Sequence, residues 1–300
     1  MNKTFTSLIA LCMSAISAQA AEIQPNQPLH WFGQNATGYQ SVTPYGNNAK
    51  AGHYVQSGDA KIYYEVYGSG EPVVLLHGGL VGSMAEMSEF ADRLKSSHLV
   101  IMVNTRGHGK SDIGSVLPSY KQKSKDLHEV LSALNISHTD IIGFSDGAYT
   151  GYQFSADYPQ QVNKLVAIGA GEWKKGFVQG GRKDRSEPLK SMIELDPRYW
   201  AEQENIRPQP DKMSQWFRQA NQQYDQTTVG KSLFEAIHVP VLVIAGEKDV
   251  NAPLDTVIAA YKMLPNAQLA IIPDAPHPAF TTNFDAVWAS IKPFLGITKD

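Results

Sequence analysis

The sequence predicts an α/β fold: a mostly parallel sheet of eight strands, helices on both faces, and a helical insertion. Three observations carry that expectation. From residue 53 onward, short β-branched runs alternate with longer amphipathic segments, the pattern of a sheet covered by helices. The later runs, such as Val241–Ala245, are apolar without a break, as strands buried on both faces require. Between Gly171 and His238 the alternation halts over a stretch too long for an ordinary connection.

Strands are expected at His53–Gln56, Lys61–Tyr67, Val73–Leu76, Leu99–Val103, Asp140–Phe144, Lys164–Ile168, Val241–Ala245 and Leu269–Ile272. Helices are expected at Met84–Leu94, Tyr120–Leu134, Ala148–Tyr158, Leu254–Met263 and Phe284–Phe294. In the second of these, Leu127, Val130, Leu131 and Leu134 recur at helical spacing and form one apolar face. Residues 171–236 read as a helical cap inserted into a core of 53–170 and 237–300. Met213, Trp216, Phe217 and Ala220 share one stripe of a cap helix.

Ahead of the core, residues 21–52 are rich in Gln, Asn, Gly and Pro, and keep no period. They read as an irregular arm whose aromatics (Trp31, Phe32, Tyr39, Tyr45) pack on the domain surface. Residues 1–20 read as a signal peptide. Lys3 gives its positive start, Leu8–Met13 begins a short apolar centre, and Ala18-Gln19-Ala20 offers the cleavage site. Ser14 and Ser17 interrupt that centre, which falls short of the ~20 residues needed to span a bilayer. The expectation is an exported protein, periplasmic or extracellular, without stable membrane anchoring. Cys12 is the only cysteine and leaves with the signal, so no disulfide or thiolate chemistry is expected. A net charge of −3 with no long basic run argues against nucleic-acid binding. Oligomeric state is not legible.

Four strand ends carry the chemistry. Asp140–Phe144 runs into Gly143-Phe144-Ser145-Asp146-Gly147, and a helical segment follows. Glycines flanking a serine on a sharp strand-to-helix turn expose its hydroxyl as a nucleophile. The amide of Asp146, at the helix start, would then face a developing oxyanion. Val73–Leu76 runs into His77-Gly78-Gly79-Leu80, where glycines let backbone approach a substrate. Gly79 is the candidate second oxyanion donor, ahead of Leu80. His77, between strand and glycines, reads as a loop brace rather than the base. Val241–Ala245 leads to Gly246-Glu247-Lys248-Asp249, and Asp249, beyond the turn, is preferred to Glu247 as the supporting acid. The last strand leads through a proline-stiffened loop to His277, the expected base. The other histidines lack such a setting. No metal or organic cofactor is expected, because the His and Asp clusters lack ligand spacing.

The order Ser145, Asp249, His277, with His77-Gly78-Gly79, resembles the α/β-hydrolase superfamily over about residues 53–295. Arg106-Gly107-His108-Gly109-Lys110-Ser111 is similar to the family's loop after its fourth strand. An Asp usually stands two positions before that Arg; here Asn104 does, which puts a local ion pair in question. The Ser145-Asp146-Gly147 elbow looks like that of valacyclovir-hydrolase-type esterases. That likeness implies that Asp146 either pairs with a substrate amine or turns into the protein onto an Arg or a backbone amide.

The resemblance implies a serine hydrolase acting on small carboxylic esters. Lactone or macrolide-antibiotic ester cleavage, carbon–carbon bond hydrolysis and cofactor-free peroxidase activity also occur on this scaffold. A non-catalytic binding protein is the reading of another class. Leu80, Phe144, Trp173, Trp216 and Phe217 are candidate substrate contacts, with Phe177, Tyr199 and Trp200 also in the cap. Each cap aromatic either lines an apolar pocket or packs the cap onto the core.

Overall fold

The computed structural model describes residues 23–115, 118–175 and 188–298. The signal segment, Phe177 and the charged run Arg182–Arg185 lie outside the described residues. The eight strands are β1 (Gly52–Ser57), β2 (Ala60–Gly68), β3 (Glu71–Leu76), β4 (His98–Val103), β5 (Thr139–Phe144), β6 (Val162–Ile168), β7 (Val241–Gly246) and β8 (Ala267–Ile272). They form one sheet in the order β1-β2-β4-β3-β5-β6-β7-β8. The β1–β2 and β2–β4 pairs are antiparallel, and the rest are parallel.

The chain moves from β3 outward to β4 and then returns across β3 to β5. That reversal leaves a crevice at the carboxyl ends of β3 and β5, where open α/β sheets bind their ligands. Register brings the strand ends level. Leu76 faces Gly143, Phe144 faces Ile168, and Gly246 faces Ile272. His77, Ser145 and Glu247 therefore leave the sheet at one edge.

Alternate strand residues feed two cores. Val74, Leu76, Ile141, Leu165 and Val243 point to the side of α2 (Tyr120–Ala133) and α3 (Asp146–Asp157). Val73, Leu75, Ile142, Val166 and Ile244 point to the side of α1 (Ser88–Leu94) and α10 (Phe284–Leu295). This period-two sorting is what a strand covered on both faces demands. The predicted helix at 84–94 begins as a 3₁₀ turn, Met84–Met87. Side-chain caps start α2, where Ser119 accepts from Gln122 N–H, and α10, where Asn283 accepts from Ala286 N–H.

Between β6 and β7 the described residues contain α4 (Pro188–Leu195), α5 (Pro197–Ile206), α6 (Met213–Gln226) and α7 (Lys231–Phe234). The ends of this insertion meet: Trp173 and Val229 exchange backbone hydrogen bonds of 2.7 and 2.8 Å. After it come α8 (Leu254–Met263) and α9 (Ala279–Thr282). Among the described residues, no helix is long and apolar enough to cross a membrane.

Residues 23–51 have no helix or strand and lie across both parts of the molecule. On the core, Tyr39 and Tyr45 donate their hydroxyls to Asp92 of α1 at 2.8 and 2.9 Å. On the cap, His30 N–H donates to Glu202 at 2.6 Å, and Gly33 N–H and the His30 ring engage Asp196 at 2.9 Å. Asp196 is itself the N-cap of α5, accepting from Tyr199 N–H.

The loop after β4 departs from the sequence expectation. Asn104 is buried and its side chain has no hydrogen bond among the described residues. Arg106 keeps its ion pairs by reaching farther: Nε and Nη2 grip Asp126 of α2 at 2.7 and 2.9 Å, and Nη1 meets Asp59 at 3.0 Å. Arg106 and Asp126 are almost solvent-free. Asp126→Ala strands a buried guanidinium, so urea denaturation should show a loss of about 3–5 kcal/mol. An unchanged midpoint would mean that the pair holds nothing.

Candidate active site

Ser145 joins β5 to α3 at φ 50° and ψ −115°, a conformation unfavourable for a residue with a side chain. Two backbone bonds hold it: its N–H donates to Ile168 O at 2.8 Å, and its C=O accepts from Tyr149 N–H at 3.0 Å. The turn leaves no room beside it. A Cβ on Gly143 would lie 2.5 Å from the Gly147 carbonyl, and one on Gly147 would lie 2.2 Å from Leu76 O.

The loop after β8 carries His277 to the same edge. Glu247, the rival acid, is occupied in shaping that loop: it accepts Asp274 N–H at 2.8 Å. Asp249 instead faces inward with a side chain fully removed from solvent. One of its oxygens accepts from Asn251 and Ala252 N–H at 2.8 and 2.7 Å. The other lies 2.7 Å from His277 Nδ1, and His277 Nε2 lies 2.9 Å from Ser145 Oγ. An ionised carboxylate only accepts, so the imidazole proton sits on Nδ1 and Nε2 is free to accept the serine hydroxyl proton. The structure thus joins three residues that are far apart in sequence.

His77 is held differently. Thr105 N–H donates to its Nε2 at 3.1 Å, which leaves Nδ1–H to donate to Gly78 O at 2.7 Å. Burial drives its pKa down to about 4, so the ring is a neutral strut between the β3 and β4 loops. Beyond it, the amides of Gly79, Leu80 and Asp146 make no hydrogen bond among the described residues. All three residues border one cavity of about 300 Å³ with Ser145 and His277. Leu80 has φ 52°, so the loop turns sharply there.

The Asp146 side chain turns into the protein. Lys123 Nζ lies 2.6 Å away, and the hydroxyls of Tyr224 and Tyr120 donate at 2.7 and 2.9 Å. Burial would raise this carboxyl, but the Lys123 charge and the three donors outweigh it and hold the pKa below the ordinary value. The side chain thus takes the inward course that was the alternative to a substrate amine, with a lysine and two tyrosines in place of the Arg or backbone amide expected there. A carboxylate already neutralised has little left for a substrate amine.

Leu80, Phe144 and Trp173 line the cavity, as the sequence suggested. Trp216 and Phe217 do not. Trp216 wedges between the His108 ring at 4.9 Å and the Arg207 guanidinium at 5.3 Å, and Phe217 packs on Trp200. Their stripe on α6 packs the cap together through Trp200 and onto the core through His108. Tyr199 and Trp200 are likewise fully buried and absent from the lining. The cap instead contributes Met192 and Tyr224, and the core adds Val81, Glu86, Tyr149 and Asn251. Of these, only Tyr149 had a legible signal, one helical turn beyond the serine.

A family model described as the alpha/beta hydrolase fold matches residues 71–185. The human serine hydrolase BPHL is 25% identical over 234 residues, covering 72% of this chain and 77% of its own. A meta-cleavage product hydrolase from Pseudomonas fluorescens superposes with a TM-score of 0.69 at 19% identity, covering 83% of this chain and 99% of the other. An esterase from Exiguobacterium antarcticum gives 0.68 at 21% identity, covering 82% and 99%. The family match thus lies on residues 71–185, and the eight-stranded, mostly parallel sheet has the α/β-hydrolase fold of these neighbours.

The Asp146–Lys123 pair has a pH signature. A carboxyl lowered by folding contributes stability in full above the unfolded value, about pH 4, and loses it as pH falls through the folded value. Lys123→Met should cost about 3–5 kcal/mol at pH 7, read by urea denaturation. The gap to the parent protein should narrow as Asp146 takes up its proton in acid. A gap independent of pH would show that charge is not what the pair supplies.

Proposed function

We propose that this protein hydrolyses carboxylic esters through an acyl-enzyme intermediate on Ser145. The observation that carries the reading is the continuous Asp249–His277–Ser145 chain, with contacts of 2.7 and 2.9 Å, at an elbow that presents the hydroxyl to a cavity. Ser145 Oγ attacks the substrate carbonyl as its proton passes to His277 Nε2. Asp249 holds the resulting imidazolium. The carbonyl electrons move onto oxygen, which the Asp146 amide and that of Gly79 or Leu80 receive. Collapse expels the alcohol, which takes the proton from His277. Water, deprotonated by His277, then releases the acid and restores Ser145.

Lining by Leu80, Val81, Phe144 and Met192 suits an apolar acyl group, and a volume of about 300 Å³ favours a compact ester over a macrolide ring. A meta-cleavage hydrolase among the structural neighbours makes carbon–carbon cleavage the comparison to run.

Ser145→Ala should lower kcat by about 10⁴-fold or more on p-nitrophenyl esters and abolish labelling by a fluorophosphonate, while Asp249→Asn should cost about 10⁴-fold. Labelling retained in Ser145→Ala, or faster turnover of a vinylogous 1,5-diketone than of any ester, would overturn the reading. We also infer export, for which mass spectrometry of the mature protein should find Ala21 as its first residue.

A further inference from the structure

The cavity wall contains a carboxyl that acyl transfer does not use. Glu86 sits in the 3₁₀ turn before α1, and its Oε1 accepts Gly78 N–H. It borders both the active-site cavity and a smaller one of about 100 Å³ lined by Trp31, Tyr39 and Phe280. A Cβ on Gly78 would lie 3.1 Å from Phe144 and 3.2 Å from Glu86 Oε1, so the carboxyl is lodged against the loop. Its second oxygen has no hydrogen bond, and no cation pairs with it, among the described residues. Asp146, the other carboxyl on this wall, has Lys123. Of these two acids, one has a paired cation and the other has none among the described residues.

We infer that Glu86 is a positioning residue that sets the charge selectivity of the cavity. Protonated, it leaves the wall neutral for uncharged esters; ionised, it holds Gly78 N–H more tightly but sets a fixed negative charge in the wall that works against them. The inference rests on the serine-hydrolase reading above. Burial without a cation disfavours the charged form, and Asp146 adds to this against the Gly78 N–H, so the carboxyl is pushed up to about 8. Negative charge develops on the substrate oxygen beside the same loop, and in a site short of water a fixed anion there opposes it. For a substrate with a permanent positive charge the sign reverses.

The neighbouring titratable groups are known. Asp146, backed by Lys123, and Tyr224 and His277 face the same cavity. Tyr199 of α5 lies close enough to interact with Glu86 electrostatically. Glu89 and Tyr39 border the smaller cavity.

The test compares a neutral ester with an ester of similar shape bearing a trimethylammonium group on its acyl end, from pH 6 to pH 10. Proton transfer from Ser145 is common to both substrates, so the ratio of their kcat/KM values isolates the effect of charge in the cavity. The cation-to-neutral ratio should rise about tenfold between pH 7 and pH 9 in the parent protein, and stay level in Glu86→Gln. Glu86→Met gives the same readout should the amide variant fold poorly. A ratio flat in the parent protein, or rising equally in either variant, overturns the inference. Failure of the underlying reading looks different: fluorophosphonate then labels nothing at any pH, whereas failure of the Glu86 inference leaves labelling intact and only the ratio unmoved.

Discussion

Ser145 stands where two backbone hydrogen bonds meet, one into β6 through Ile168 and one from α3 through Tyr149. A left-handed torsion at a serine is uphill by itself, and persists only where the surroundings leave the chain no alternative. Here the sheet on one side and the helix on the other are packed so closely that neither flanking residue has space for a methyl group. The hydroxyl is therefore aimed by the backbone, and not by rotamer choice alone. Asp249 is fixed in the same spirit: two amides hold one oxygen so that the other meets His277.

Beneath this edge lie three buried polar side chains with matched partners. His77 is neutral and ties two loops, Arg106 is clamped by carboxylates from two other segments, and Asp146 is locked by Lys123 and two tyrosines. Buried charges are tolerated because their partners are in place. These side chains keep the loops that border the cavity stiff while the cavity itself stays largely apolar. Glu86 on the cavity wall differs, a carboxyl held by one backbone amide.

The sheet was legible because its central strands are short apolar runs, and because covering on both faces leaves them no polar alternative. The residues of the Ser–His–Asp chain were legible for a related reason: each lies at a strand end or on the short loop that leaves it, and register brings those ends level. What the sequence concealed depends on packing between segments. Trp216 and Phe217 share a helical stripe, but a stripe does not say whether it faces a cavity or a neighbouring helix. Lys123 is one of several lysines along α2, and only the approach of α3 makes it the counter-ion of Asp146. Asn104 suggested a missing ion pair, yet the guanidinium of Arg106 is long enough to find acids in α2 and in the β1–β2 turn.

The arm at residues 23–51 has no regular structure, but it grips α1 through Asp92 and α5 through Asp196 and Glu202. The insertion is thus held at its stem by Trp173 and Val229, against the core by Tyr224 on Asp146 and Trp216 on His108, and at its crown by the arm. The cap side of the cavity, where Met192 and Tyr224 stand, is accordingly placed in part by residues about a hundred positions ahead of the nucleophile.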